Sequence, residues 1–170
     1  MGIIKECGGK MYLSEKKWDL ALDELFECFK NYQESGNIKA KDILVYVILA
    51  SMLCQSSINH AETREAKVYK EDKTIIAINS LRSAYEKNEI VKIQAILGNK
   101  QNKIFNDPEF SQYLDDLLRN IRLNVLEVKV LPYTSVKISF LAKEVNITEN
   151  EIRQLLSELI LEKKIDGFID

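Results

Sequence analysis

Apolar side chains recur at helical spacing through most of the first 131 residues of the chain. Between residues 18 and 32, intervals of three and four place four of them on one face: Leu22, Leu25, Phe26 and Phe29. Such a stripe is typical of an amphipathic α-helix with one buried side. A polar turn at residues 14–17 separates this helix from a shorter predicted helix that contains Gly9 and Tyr12.

The small and large residues of these two helices are spaced as in a tetratricopeptide-type helical hairpin. Gly9, Ala21 and Cys28 are small residues at positions where two helices would touch, while Tyr12 and Leu25 would fill the groove between them. One repeat shows this pattern. Cys28 is therefore assigned a packing role, since free cysteines are among the most buried residues.

A helix at the centre of the stack is predicted next. The segment from Ile43 to Cys54 is apolar nearly all round, so neighbours are needed on every side. Residues 55–71 are polar and irregular. Because loops of this length are unusual in a compact domain, we consider this one a candidate contact surface.

Three more helices are predicted before Pro132. The first two cover about residues 72–86 and 89–97, and Gly98 ends the second. Asp107 and Pro108 begin the third, as its N-cap and first helical residue. The predicted inward face of the third helix consists of Phe110, Tyr113, Leu114, Leu117, Leu118, Ile121, Val125 and Val128.

The pattern changes after Pro132. Residues 136–139 alternate between apolar and polar, which predicts a short strand, and residues 140–145 predict a short helix. Thr148 and Glu151 form the capping-box pattern of a helix that runs to about Lys163. The buried stripe of this helix is predicted to be Ile152, Leu155, Leu156, Leu159 and Ile160. Residues 165–170 predict a second strand, in which Gly167 indicates a bulge or a close backbone approach.

This order of elements is that of a winged helix-turn-helix. We therefore predict a mainly α fold: a tetratricopeptide-like helical-repeat array over residues 1–118, then a winged helix with a small β-sheet over residues 119–170. The chain stops at Asp170, before a second wing strand could return. The wing is accordingly expected to be incomplete.

Composition narrows the class of protein. The 170 residues include 24 basic and 26 acidic side chains, and 46% are hydrophobic, which is ample for a core. The longest apolar run, Ile43 to Cys54, has 12 residues, whereas a bilayer span needs about 20. No secretion signal is visible in the first ten residues. Three widely spaced cysteines fit reduced thiols in a cytosolic or nuclear protein.

The residue types offer little support for catalysis. The single histidine, His60, lies in a polar stretch that predicts a surface loop, so we assign it a structural or neutral role. No C-x-x-C pair or second histidine is present, which argues against a zinc site. None of the six glycines forms a phosphate-binding or dinucleotide motif. We predict no enzyme activity, no metal site and no cofactor.

The last forty residues resemble the PCI domain, a module shared by the proteasome lid, the COP signalosome and a large translation initiation factor. The residues that carry the resemblance are Tyr133, Ile138, Leu141, Ala142, Ile147, Glu151, Ile152, Leu155, Ile160, Ile165 and the ending Gly167, Phe168, Ile169 and Asp170. The family's pattern I-x-G-x-[IL]-D is present at residues 165–170. The resemblance implies the same helical array and winged helix.

Upstream stretches resemble one branch of this family, the second subunits of the COP signalosome. They are ECGGKM (6–11), FKNYQESG (29–36), EAKVYK (65–70), LLRNIR (117–122) and PYTSVKISF (132–140). The paralogous branch of the proteasome lid shares the FKNY-x-E-x-G element but is less similar around EAK-x-YK and RNIR. The resemblance corresponds to the C-terminal half of such a subunit, without the family's long N-terminal helical repeats.

The resemblance implies an assembly role. Winged-helix sheets of this family line up edge to edge across subunits, and the signalosome removes a ubiquitin-like modifier from cullins through a metal site in another subunit. The expected partners are other PCI-domain subunits, with cullin-RING ligases contacted through the N-terminal region. The expected location is the cytoplasm and the nucleus. The candidate partner-pairing edge consists of Val136, Lys137, Ile138, Ser139, Ile165, Gly167, Phe168 and Ile169.

Nucleic-acid binding is the alternative from another class, because many winged helices place a helix in the major groove. Residues 119–170 carry eight basic and eight acidic side chains. The helix that would enter the groove, residues 149–163, has four glutamates against Arg153 and Lys163. A helix of net negative charge lacks the phosphate contacts that supply most non-specific affinity. We therefore expect no nucleic acid and no membrane among the partners.

Overall fold

The computed structural model describes residues 2–56, 58, 60–98 and 107–169. In these residues the chain forms eight α-helices: α1 (Gly2–Ser14), α2 (Trp18–Glu34), α3 (Ala40–Leu53), α4 (Lys73–Glu86), α5 (Ile90–Leu97), α6 (Pro108–Val130), α7 (Ile138–Val145) and α8 (Glu149–Leu161). Two short 3₁₀ helices, His60–Glu62 and Ala66–Tyr69, lie between α3 and α4. The sequence thus predicted the bounds of α2, α3, α4, α5 and α8 to within three residues, and the presence but not the bounds of α1.

Consecutive helices from α1 to α5 contact each other in turn, which is the arrangement of a helical array. The central helix is α3, in which every residue from Ile43 to Leu53 is buried. This confirms the helix that the apolar run predicted. On one side α3 contacts α2, on another α4, and α6 returns across it from the C-terminal half.

The contact between α1 and α2 has the predicted small-and-large packing. Gly9 is buried against Leu25, and a Cβ atom at Gly9 would lie 2.5 Å from Leu25 Cγ. Ala21 and Cys28 are completely buried on α2, and the Cys28 thiol donates a hydrogen bond of 3.3 Å to the carbonyl oxygen of Gly2. Burial raises the pKa of the Cys28 thiol to about 11, so this side chain is a packing element.

The C-terminal half is organised by α6 and the α7–α8 hairpin. Asp107 caps α6 by accepting a hydrogen bond from the Glu109 backbone, and Pro108 occupies the first helical turn. The predicted inward face of α6 is largely correct. Val128, however, is 64% exposed, and the adjacent Lys129 in the last turn of α6 is exposed as well.

The turn between α7 and α8 confirms the predicted capping box. Thr148 Oγ1 accepts the hydrogen bond of the Glu151 backbone N–H, and the Glu151 carboxylate accepts that of the Thr148 backbone at 2.9 Å. Asn146 ends α7 in the left-handed conformation, with φ of 56°. Four residues of the predicted stripe of α8 are buried, namely Ile152, Leu155, Leu156 and Leu159, whereas Ile160 is half-buried.

The strand predicted at Val136–Ser139 is wrong, because α7 begins at Ile138 and includes Ser139. Four alternating residues are too few to specify a strand when the same stretch continues as a helical stripe. Ile138, Leu141, Ala142 and Val145 follow that helical spacing. Residues 165–169 are likewise not paired into a strand in the described chain. The predicted small β-sheet is therefore absent from the described residues, and Asp170 lies outside them.

The prediction of a surface position for His60 is also wrong. His60 is only 7% exposed, and its ring packs edge-on against Phe26 with centroids 4.8 Å apart. The segment 55–71 is polar in sequence, but within it Ala66 is buried and Tyr69 is packed against the ring of Phe29. In the described part of the chain, no helix has the length and apolar character needed to cross a membrane.

We predict that Gly9→Ala destabilises the protein by about 1–3 kcal/mol, because the new methyl group would overlap Leu25. The matched control is Gly8→Ala. A Cβ at Gly8 meets its nearest neighbour, Glu24 Oε2, at 3.7 Å, so the better helix propensity of alanine should add up to about 1 kcal/mol of stability. Urea denaturation of both variants measures the two changes, and equal effects would contradict the close packing of α1 on α2.

We predict that Thr148→Ala costs about 1 kcal/mol of stability, since it removes one half of the capping box. Thr148→Ser is the control and should retain most of the stability. Hydrogen bonds from the backbone and side chain of Thr148 lower the pKa of Glu151 below its ordinary value. The stabilisation is therefore present above the ordinary carboxyl pKa and is lost as pH falls through the folded-state pKa. Denaturation at pH 7 and at acidic pH should show the difference shrinking.

Candidate partner-binding groove

A groove of about 490 Å³ lies on the C-terminal half, between the segment that leads into α7 and the segment that follows α8. All eight residues of the predicted partner-pairing edge line it: Val136, Lys137, Ile138, Ser139, Ile165, Gly167, Phe168 and Ile169. The structure therefore brings together two stretches that are almost thirty residues apart in the sequence. The two stretches line the same groove although neither of them forms the predicted strand.

The groove is positioned by α6 and α8. Val130 at the end of α6 lines one end of the groove, and Leu156 and Ile160 of α8 contribute further apolar lining. Ile165 is buried, because the chain folds back after α8 and the Ile165 backbone N–H donates to the carbonyl of Leu159. These contacts fix the position of the segment that follows α8 at its start.

Both segments have backbone groups without hydrogen-bond partners in the described part of the chain. Residues 134–136 and residues 166–169 make no backbone hydrogen bond to any other described residue. The backbone of Lys137 is extended, with φ of −76° and ψ of 133°. Polar backbone groups next to an apolar surface are costly to bury unless they are paired, so a partner backbone could satisfy them as it docks.

Exposed aromatic rings border the groove. Phe168 is 86% exposed and lies on the groove. Tyr133, which also lines it, packs edge-on against Phe140 with ring centroids 6.4 Å apart, and both rings are partly open to solvent. Rigid aromatic side chains of this kind are enriched among the residues that dominate binding energy at protein interfaces.

Charge at the groove is balanced. Its charged lining residues are Lys137, Glu149, Arg153 and Asp166. Close by, Lys129 Nζ lies 2.7 Å from the Glu144 carboxylate, and the hydrogen bond to Glu144 raises the pKa of Lys129. Arg119 of α6 pairs with Glu158 of α8. Such a surface favours neither polyanions nor polycations and suits a protein surface of mixed charge.

Leu156 and Ile160 were predicted as core residues and not as part of the groove. They lie four residues apart on α8, at one edge of the stripe formed by Ile152, Leu155 and Leu159. Their position at the edge of the stripe is the signal that could have placed them at the boundary of the core. Periodicity alone does not show which edge of a stripe remains uncovered.

The described residues contain no group of three or more histidine, cysteine, aspartate or glutamate side chains placed to hold a metal ion. Cys7 is exposed and Cys54 is half-buried, and burial raises the pKa of the Cys54 thiol. His60 is remote in sequence from the groove and packs on α2.

Known proteins resemble this chain at two levels: a family matches its C-terminal part, and individual proteins match its whole length. The PCI domain family matches residues 73–170, which include the groove and the helices from α4 onward. Over all 170 residues the chain is 48% identical to COP9 signalosome complex subunit 2 of Dictyostelium discoideum and 42% identical to that of Drosophila melanogaster. A Caenorhabditis elegans protein named as a probable 26S proteasome regulatory subunit is 24% identical, with 95% of this chain aligned to 40% of that protein.

The chain spans 38% of the length of each of the two signalosome relatives. The similarity covers the helical array as well as the groove, and the matched family covers more than half of the chain. On this evidence the chain belongs to the PCI-domain family.

Proposed function

We propose that this chain acts as a non-catalytic scaffold subunit of the COP signalosome and joins neighbouring PCI-domain subunits through the groove. The observation that carries the proposal is the pair of segments, 134–136 and 166–169, which lie beside an apolar surface and make no backbone hydrogen bond to any other described residue. The similarity to signalosome subunits of two distant organisms supports the choice of complex.

Backbone pairing is the physical basis of the proposed contact. An extended strand of a neighbouring subunit could hydrogen-bond to residues 166–169 or to residues 134–136, which would form a new β-pairing across the interface. Phe168 would then be buried by the partner, and an aromatic ring contributes strongly to binding when it becomes desolvated. The balanced charge of the groove would leave the choice of partner to shape and to individual polar contacts.

The wider role follows from membership of the complex. The signalosome would act on cullin-RING ubiquitin ligases by removing a ubiquitin-like modifier, with the catalytic metal in a different subunit. Contact with cullin-RING ligases would involve the N-terminal region that longer members of the family possess. We place the protein in the cytoplasm and the nucleus. This part of the proposal rests on the family resemblance and not on a feature of the groove.

The regulatory lid of the proteasome is the alternative complex. It would use the same fold and the same pairing of subunits, so the groove does not separate the two. The difference in identity, 48% and 42% against 24%, favours the signalosome.

Nucleic-acid binding by the winged helix has less support. Helix α8 carries three glutamates and one arginine. Arg119, at the neighbouring surface of α6, is already paired with Glu158. A duplex placed on this face would meet uncompensated carboxylates, which oppose the phosphate contacts that drive such binding.

The test of the complex is affinity capture of the tagged chain from a native eukaryotic lysate, followed by mass spectrometry. Recovery of signalosome subunits supports the proposal. Recovery of proteasome lid subunits instead would move the protein to the paralogous complex. Nucleic acid that co-purifies in place of either complex, with binding that falls steeply as salt rises, would favour the winged-helix alternative.

We predict that Phe168→Asp lowers the recovery of PCI-domain subunits by about tenfold or more, because a carboxylate would be buried at the proposed interface. Leu161→Asp is the matched control, since Leu161 is 82% exposed but lies on α8 outside the groove lining. Both variants should keep the thermal stability of the parent chain, because neither side chain packs in the core. Equal recovery with the two folded variants would contradict a role of the groove in assembly.

A further inference from the structure

The segment between α3 and α4 is folded down onto the helical array. We define its residues 60–70 as the strap. The strap consists of the two 3₁₀ helices and is attached to α2 by two ring contacts, His60 on Phe26 and Tyr69 on Phe29, the latter with centroids 6.2 Å apart. Thr63 closes the turn between them by donating its hydroxyl to the His60 carbonyl.

A buried arginine holds the start of the strap from the other side. Arg82 of α4 is only 4% exposed, and its guanidinium donates to Ser51 Oγ at 2.9 Å and to the Ile58 carbonyl at 3.1 Å. Its Nε lies 2.8 Å from the Glu86 carboxylate, which is itself largely exposed. A permanent positive charge therefore lies inside the protein, directly beside the backbone that leads into His60.

The surroundings of His60 favour its neutral form. The ring is buried, and its Nδ1 atom has no hydrogen-bond partner among the described residues. Burial lowers the pKa of His60, and the charge of Arg82 adds to this effect. The Ile58 backbone and Asp23 act in the opposite direction, while Lys30 lowers the pKa further. Together, these effects lower the pKa of His60 below its ordinary value.

Among the described residues of α3 and of the strap, no carboxylate is buried. Helix α3 contacts the first 3₁₀ helix, but it carries no charged side chain after Asp42, which lies in its first turn. Within the strap, Glu62 is exposed and Glu65 is half-exposed, so water screens both carboxylates. A proton on His60 would add a second buried positive charge, and the charge of Arg82 already opposes it.

We propose that His60 is a pH-sensitive latch that holds the strap on α2 while neutral and releases it when protonated. Release would uncover the ring of Phe29, which is completely buried, and the partly buried ring of Phe26. The folded-state pKa lies below the ordinary histidine value of 6.5, so the latch is closed above pH 6.5. It weakens as pH falls through the range between the two values, because the released state binds the proton more tightly.

The experiment is an NMR titration of the complete 170-residue chain from pH 7.5 to pH 5.5. Because His60 is the only histidine, its imidazole signal needs no assignment and reports the pKa directly. Amide exchange, expressed as protection relative to the intrinsic rate at each pH, reports the strap. We expect His60 to titrate below 6.5 and protection of residues 60–70 to fall by about threefold or more across that titration.

Two controls separate the latch from general acid destabilisation. In the parent chain, protection of α4 amides should change much less than that of the strap. In His60→Gln, which cannot titrate, strap protection should be independent of pH over this range. A His60 pKa at or above 6.5 would overturn the proposal, and so would strap protection that is unchanged while His60 titrates. The same pH dependence in His60→Gln would also overturn it.

Discussion

The constraint on which the fold depends is the burial of α3. A helix that is apolar on all sides cannot be satisfied by one neighbour, so other elements must cover its whole circumference. Helices α2 and α4 cover two sides, the first 3₁₀ helix of the strap adds to this cover, and α6 returns from the C-terminal half to contact α3. The return of α6 ties the two halves of the chain together. The groove is therefore attached to the array through the helix that completes the core.

The two halves of the chain differ in how their backbone N–H and C=O groups are hydrogen-bonded. In the array, helices satisfy nearly all of them internally, and the strap is held by side chains such as Arg82 and Thr63. In the C-terminal half, residues 134–136 and 166–169 lie next to apolar side chains and form no backbone hydrogen bond with the rest of the described chain. These segments can form main-chain hydrogen bonds, which suit recognition of another polypeptide better than they suit catalysis.

Local signals in the sequence predicted most of the helices and their ends. The stripe of α2, the cap at Asp107 and the capping box at Thr148 depend on residues that are near one another in the chain. The predicted strand at residues 136–139 was wrong because a strand must pair with another strand, and local sequence does not show whether a distant segment supplies one. The predicted surface position of His60 was wrong for a related reason: its ring is covered by Phe26, which is more than thirty residues away in the sequence. Arg82 shared the face of Ile75 and Ile78, and that spacing was the available sign of its burial.

The sequence predicted part of the lining of the candidate groove but not the form of the groove. The eight residues were chosen as the edges of a sheet, and the same eight line the groove although that sheet is absent from the described residues. This outcome is physically reasonable, since α6 and α8 position both segments whether or not they are hydrogen-bonded to each other. Leu156, Ile160 and the buried Ile165 hold the apolar lining in place. The backbone N–H and C=O groups of both segments can therefore pair with an extended polypeptide that docks in the groove. Under the proposed function, packing within the chain would position this surface and a neighbouring subunit would complete its hydrogen bonds.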